Sequence, residues 1–152
     1  MTKTIDWNPE EGDARQGDVY LFRIPDKITI AGHEIKPRDN KLVLLEGEMT
    51  GHHHAIHFPQ PTMFRDDAVA RDMAVNADLG VATLYRDAEA AQVLVRAKEL
   101  TRADLCIGFL VVKGGPVSLK HEEHDAIRIP VGRYYVGRQI ESAGAEERLI
   151  AD

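Results

Sequence analysis

Apolar positions fall into short runs in two parts of the chain, residues 17–60 and 105–141. The runs "VYLFRI", "KLVLL", "CIGFLVV" and "RYYV" are rich in β-branched and aromatic residues, which favours strands over helices. Glycine, proline or acidic residues end each run, and turn signals recur about every ten residues. This spacing predicts a mainly β fold, an antiparallel roll, sandwich or small barrel, rather than alternating strands and helices.

The segments outside this predicted β core have a different composition. Residues 1–16 are polar and contain the single tryptophan, Trp7. We interpret them as an extended arm whose tryptophan docks on this domain or on a neighbouring subunit. Residues 62–104 are rich in alanine and charge and predict a partly helical insertion, and residues 143–152 predict an acidic tail. At 152 residues, the whole chain predicts one domain.

Charge and hydropathy narrow the expected partners. The net charge is -6 and no basic stripe is present, so we do not expect nucleic acid as a partner. No apolar run approaches the roughly 18 residues of a membrane span, so we expect no membrane partner. The N-terminal residues carry no apolar signal-peptide core, and we therefore expect a cytoplasmic protein.

Four of the seven histidines lie in one segment, "GHHHAIH", residues 51–57. Side chains alternate between the two faces of a strand, so His52 and His54 are expected on one face, and His53 and His57 on the other. Two imidazoles on one strand face can bind the same ion. This segment therefore predicts one half of a metal site.

A second histidine segment, "HEEH", follows 70 residues later and contains His121 and His124. Histidines three apart meet only across a bulge or a turn. In both segments a histidine cluster stands just before Ala-Ile, and a polar residue, an apolar residue and a proline come next. This echo indicates that the two segments enter one β-structure in similar ways.

A metal site forms if the two histidine segments meet. Its predicted ligands are His52, His54, His121 and His124, with Glu48 or Glu122 as an added oxygen ligand or as a catalytic base. Imidazole with carboxylate suits a divalent transition metal such as Zn, Fe, Mn or Ni. A site with three protein ligands and one open position activates water. If the chain is an enzyme, which the sequence does not decide, metal-assisted hydrolysis or a lyase-type step is the natural reaction class.

The alternative interpretation is non-enzymatic. The histidines would then form a hydrogen-bonded polar layer or a contact between subunits. Small β domains with polar arms often associate through sheet edges or exchanged arms. This alternative predicts a homo-oligomeric assembly or adaptor protein that contacts copies of itself or another protein.

The segments that carry these residues resemble a family of small uncharacterised bacterial and phage-associated proteins. The shared signatures are "QGDV", "GExTGHxH" and "HEEHxxIxLPxGxYxVxRQxE". The matching positions are Gln16, Gly17, Asp18, Glu48, Thr50, Gly51, His52, His54, His121, Glu122, Glu123, His124, Pro130, Gly132, Tyr134, Arg138, Gln139 and Glu141. Ile129 stands where leucine is usual, and the middle of the chain is not covered. The resemblance implies no known activity.

Overall fold

The computed structural model describes residues 3–46, 52–58, 80–143 and 146–149, with side chains described as far as Gln139. These residues are mostly β, with one helix among them. The strands are β1 Thr4–Asp6, β2 Ala14–Gln16, β3 Val19–Arg23, β4 His33–Ile35, β5 Lys41–Glu46, β6 His53–His57, β7 Val81–Arg86, β8 Cys106–Lys113, β9 Val117–Lys120, β10 Ala126–Ile129, β11 Gly132–Arg138, β12 Ile140–Ala143 and β13 Glu146–Leu149. The helix, α1, spans Ala88–Arg96.

Two sheets contain most of the strands. Sheet A has the order β1-β10-β9-β6-β5, and sheet B has the order β2-β3-β11-β8-β7-β4. Neighbouring strands are antiparallel, except that β1 runs parallel to β10. The last two strands, β12 and β13, pair with each other. The mainly β prediction is therefore confirmed.

The main hydrophobic core is formed by residues from both sheets. Leu42, Ile56 and Leu119 belong to sheet A, and Leu21 and Leu110 belong to sheet B; all five are at most 1 % exposed and belong to one cluster. Two sheets that bury their inner faces against each other form a sandwich. Of the three predicted architectures, the sandwich describes the chain, because the described strands do not close into a barrel.

The outer face of sheet B is covered by α1. Leu94 of the helix is fully buried in a second cluster with Phe22, Phe109 and Tyr135 of the sheet. The helix lies in the middle segment, for which the sequence predicts partly helical structure. The same segment also supplies β7, which pairs with β8 on one side and β4 on the other. This part of the chain therefore completes sheet B. None of the helical structure in the described ranges is long and apolar enough to cross a membrane.

The N-terminal arm docks on the chain itself. Trp7 packs against the main core, with its ring centroid 5.2 Å from that of Tyr134. Its indole Nε1 donates a hydrogen bond of 2.8 Å to the carbonyl of Gly12. The tryptophan was expected to dock on its own domain or on a neighbouring subunit, and in the structure it packs on its own domain.

Strand pairing in sheet A brings the two histidine segments together. β6 and β9 pair with Ala55 opposite Lys120 and Ile56 opposite Leu119. Continuing this antiparallel register by one residue places His54 next to His121. β9 also pairs with β10, so the strands that follow the two histidine segments lie on either side of β9. The similar sequences of the two segments thus belong to β6 and β10, which flank β9 on opposite sides.

Candidate functional site

Four imidazole rings form one group, which we call the histidine cluster: His52, His54, His121 and His124. The ring of His121 lies at its centre, with ring centroids 4.3 Å from His54, 4.6 Å from His124 and 5.4 Å from His52. The rings of His54 and His124 are 6.3 Å apart. The structure therefore brings together all four histidines that the sequence predicts as ligands.

His54 is held inside the sandwich by residues of sheet B and the turn after β2. Its side chain is fully buried, with Nδ1 2.8 Å from Gln16 Oε1 and Nε2 3.1 Å from Asp18 Oδ1. The Gln16 amide nitrogen donates to the carbonyls of Leu119 and Asp125, each at 2.9 Å. Gln16 Oε1 is therefore an acceptor, and His54 Nδ1 must carry a proton. The Nε2 atom of His54 is left to face the Asp18 carboxylate.

His121 is held by the turn that begins with it. Its side chain is fully buried, and its Nδ1 accepts hydrogen bonds from the backbone amides of Glu123, at 3.1 Å, and His124, at 3.2 Å. An imidazole nitrogen that accepts hydrogen bonds carries no proton, so the proton of neutral His121 lies on Nε2. That Nε2 atom is 4.0 Å from Glu122 Oε2.

Three residues of the two segments offer donor atoms to one point. One ligand atom each from His52, His121 and Glu122 lies within 4.8 Å of the others. Two donors bound at about 2.1 Å to one tetrahedral ion lie about 3.4 Å apart, so the donor atoms have to approach one another by at most about 1.4 Å to hold an ion. The His52 and Glu122 side chains are 25 % and 47 % exposed, which leaves them room to rotate. In the described part of the chain, His54 and His124 belong to the histidine cluster but not to this donor group.

The carboxyl group of Glu122 has a lowered pKa. Partial desolvation acts to raise the pKa of its carboxyl group, but hydrogen bonds from backbone amides, that of His53 first, hold the pKa below its usual range. The His53 amide lies 2.9 Å from Oε2. Glu122 is therefore ionised at neutral pH and retains acceptor capacity for a cation.

Two further carboxylates lie next to the first histidine segment. Glu123 lies 3.8 Å from His52, and Glu46, which also pairs with Arg38, lies 3.5 Å from His53. Negative charge next to imidazole favours a bound cation over a bound anion. Glu48, the other predicted base or oxygen ligand, lies outside the described residues, so its role stays a prediction.

Sequence reasoning found the histidines and Glu122 but missed Gln16 and Asp18 as members of this site. Both are almost fully buried, at 2 % and 3 % exposed. Composition and spacing carry no signal for them, because a single glutamine or aspartate beside a glycine is typical of a turn. The one available signal is the "QGDV" signature, which contains both residues.

Comparison with known proteins identifies a family but no activity. The model of a family described as a domain of unknown function, DUF8820, matches residues 15–96, more than half of the chain. No curated protein and no solved structure shows a significant match. The matched range includes Gln16, Asp18 and the first histidine segment, and ends before the second.

Proposed function

The chain belongs to this family of unknown function, and we propose that it binds one divalent transition-metal ion at its histidine cluster. The proposed ligands in the described structure are His52, His121 and Glu122. The observation that carries the proposal is that donor atoms from two segments, 70 residues apart in sequence, converge within 4.8 Å. Two imidazoles and one carboxylate are a donor set found in both zinc hydrolases and iron(II) enzymes.

In the metal-free protein, the ring proton of His121 lies on the nitrogen that would bind the ion. In the metal-free protein, Nδ1 of His121 accepts two amide hydrogen bonds, so the metal-facing Nε2 carries the ring proton. A metal ion at Nε2 would require that proton to move to Nδ1, which could then no longer accept the two amide hydrogen bonds. Metal binding would therefore be coupled to a change of tautomer of His121 and to a small movement of the turn at residues 121–124.

Three protein ligands leave at least one coordination position open. A water molecule there would be acidified by the ion and would act as a nucleophile in hydrolysis or as a base in a lyase step. Zinc, iron, manganese and nickel all accept this donor set. Glu48 remains the proposed additional base, and its assignment rests on the sequence alone.

Elemental analysis tests the proposal directly. Untagged protein, exposed to Zn²⁺ and then desalted, is expected to retain one zinc ion per chain. The melting temperature should rise with the metal and fall again on adding a chelator, because a ligand of the native state stabilises it. Absence of retained metal together with an unchanged melting temperature would reject metal binding.

The second candidate function is a hydrogen-bonded polar layer in a self-assembling or adaptor protein. Its specific support is that His54 and His121 are fully buried and already hydrogen-bonded by protein groups. A layer of this kind fixes strand register and has no need of an ion. Light scattering on the eluting protein separates the candidates: metal-independent oligomers favour assembly, and a metal-dependent melting shift of a monomer favours the metal site.

A further inference from the structure

We infer that Gln16 is the positioning residue of the histidine cluster, a buried amide that joins the two histidine segments and orients the His54 ring by accepting a hydrogen bond from its Nδ1. Its effect on metal affinity rests on the proposed function. Its effect on His54 does not, because that effect follows from the hydrogen bonds of the metal-free protein.

The contacts of Gln16 connect elements that are distant in the chain. Gln16 ends β2 in sheet B, and its side chain reaches sheet A. The amide nitrogen donates to the carbonyls of Leu119 and Asp125, 2.9 Å away in each case. These two residues lie on either side of the segment that contains His121 and His124. One amide group therefore binds the backbone on both sides of the second histidine segment.

The amide oxygen of Gln16 links this segment to the first one. It accepts the Nδ1 proton of His54 at 2.8 Å, and the His54 ring stacks on His121 with a centroid distance of 4.3 Å and an interplanar angle of 29°. A shift of Gln16 thus moves both rings relative to each other. His121 is a proposed ligand, so the geometry of the donor group depends on a residue that does not contact the ion.

Only a primary amide of this length satisfies all three contacts. Glutamine supplies two donors and one acceptor on the same planar group. Glutamate at this position keeps an acceptor for His54 but places a carboxylate against two carbonyl oxygens. Methionine has a similar shape and offers no hydrogen bonds of comparable strength. The two substitutions therefore separate the contact to His54 from the contacts to the second segment.

The test compares wild type, Gln16→Met and Gln16→Glu with the control Gln92→Met. Gln92 is an exposed glutamine of α1, which covers the face of sheet B that points away from the histidine cluster. Nitrogen NMR reads the protonation of His54 Nδ1 and the contacts between the His54 and His121 rings, and a Zn²⁺ competition assay reads affinity. We expect Nδ1 protonated in wild type and in Gln16→Glu, but not held in one state in Gln16→Met.

Zn²⁺ affinity should fall about 10-fold in both Gln16 variants, the low end of the range for loss of an outer-shell partner, because Gln16 acts on the ligand His121 only through His54 and the neighbouring backbone. It should stay within about two-fold in Gln92→Met, because that side chain is exposed on α1 and, within the described residues, contacts neither histidine segment. A wild-type His54 without a proton on Nδ1 overturns the inference, even if neither variant folds. Unchanged ring contacts and affinity in Gln16→Met overturn it as well. If wild type binds no zinc, the proposed function fails, and the NMR result alone decides the role of Gln16.

Discussion

The fold determines which histidines of the chain lie next to His121. The chain has seven histidines, and four of them gather in the cluster. His57 lies on the same strand as His54 but is exposed on the outer face of sheet A. Partial desolvation of its ring, together with the positive charges of Lys120 and Lys41, lowers the pKa of His57. Strand alternation alone thus separates a buried histidine from an exposed one three residues away.

The first residue-scale prediction concerns His52, a proposed ligand with a partly exposed side chain. His52→Gln should weaken Zn²⁺ binding by more than the roughly 10- to 100-fold that loss of an outer-shell partner costs, because a direct bond to the ion is lost. The change should leave the melting temperature of the metal-free protein almost unaffected. Equilibrium dialysis measures the affinity.

His57→Gln is the matched control for this experiment. It removes an imidazole from the same strand, and His57 has no part in the donor group. Its zinc affinity should equal that of wild type. Equal losses in the two variants would show that zinc is bound nonspecifically by exposed histidines, contrary to the proposal.

The second residue-scale prediction concerns Cys106. Burial raises the pKa of its thiol to about 11, and the sulfur lies 3.8 Å from the carbonyl of Gly108. A pKa about two units higher makes the thiolate fraction at pH 8 about 100-fold smaller than for a thiol with a pKa near 9. Only the thiolate reacts with disulfides. A thiol-specific disulfide reagent should therefore react slowly with the native protein and rapidly after unfolding. Equal rates in the two states would contradict this assignment.

At the residue scale, side-chain type carries the signal for the donor group. Histidine and glutamate are candidate metal ligands in any fold, so the sequence alone singles out His52, His121 and Glu122, which the structure places within 4.8 Å of one another. Gln16 and Asp18 act only because β2 and the turn after it face the first histidine segment across the sandwich. That proximity depends on long-range packing, which no local pattern encodes.

At the scale of elements, the start of α1 is determined by the residue that precedes it. Asp87 is the N-cap, and its carboxylate accepts hydrogen bonds from the amides of Ala90, at 3.0 Å, and Ala31, at 2.7 Å. It therefore satisfies a free amide of the helix and also ties the loop before β4 to the helix. Gly32 next to this contact is required, because a Cβ there would lie 1.5 Å from the carbonyl oxygen of Arg86.

Removing this cap tests the element. Asp87→Ala should lower the free energy of unfolding by about 1–2 kcal/mol, the upper part of the range for N-cap substitutions, because two amides lose their acceptor. Asp104→Ala, which removes an exposed carboxylate paired with Arg102, should cost less than about 0.5 kcal/mol. Urea unfolding measures both, and similar values for the two variants would contradict the assigned role of Asp87.

The same cap predicts a dependence on pH. Desolvation acts to raise the pKa of Asp87, but the amide hydrogen bonds from Ala31 and Ala90 outweigh it and hold the pKa below its usual value. A lowered native pKa stabilises the fold above the unfolded-state pKa, near 3.9, and this contribution disappears as the pH falls through the native pKa. The difference in stability between wild type and Asp87→Asn should therefore shrink between about pH 5 and pH 2. A constant difference across that interval would exclude this linkage.

Strands were predictable as elements, but their partners were not. The apolar runs at residues 19–23, 41–45 and 106–112 mark β3, β5 and β8 in the sequence. Their neighbours depend on contacts made across long stretches of chain, such as β3 with β11 and β1 with β10. The strand β7 alternates in the same way, with Ala82 and Leu84 buried, but its pairing with β4 and β8 is not visible in the local pattern.

At the scale of the whole molecule, the N-terminal arm closes the sandwich near the second histidine segment. β1 pairs with β10, and the Lys3 amide donates to the Asp125 carboxylate at 3.0 Å. Trp7 then covers the ring of Tyr134. The arm is therefore part of the packed domain and supports the turn from which His121 and His124 project.

Trp7 provides a direct test of arm docking, because it is the single tryptophan of the chain. Trp7→Ala should destabilise the protein by about 2–3 kcal/mol, below the roughly 3–5 kcal/mol of a fully buried aromatic residue. Trp7→Phe keeps most of the ring contact and should cost less. In wild type, the tryptophan emission should shift to longer wavelength together with global unfolding, and a shift at much lower denaturant would show that the arm is not docked.

The central claim is that one metal ion lies between the two histidine segments. Anomalous scattering at the zinc absorption edge, from crystals of zinc-loaded protein, measures the position of that ion directly. The account predicts one peak per chain, about 2.1 Å from a nitrogen each of His52 and His121 and from an oxygen of Glu122. A peak bound only by residues outside the histidine cluster, or no peak at all, would contradict it.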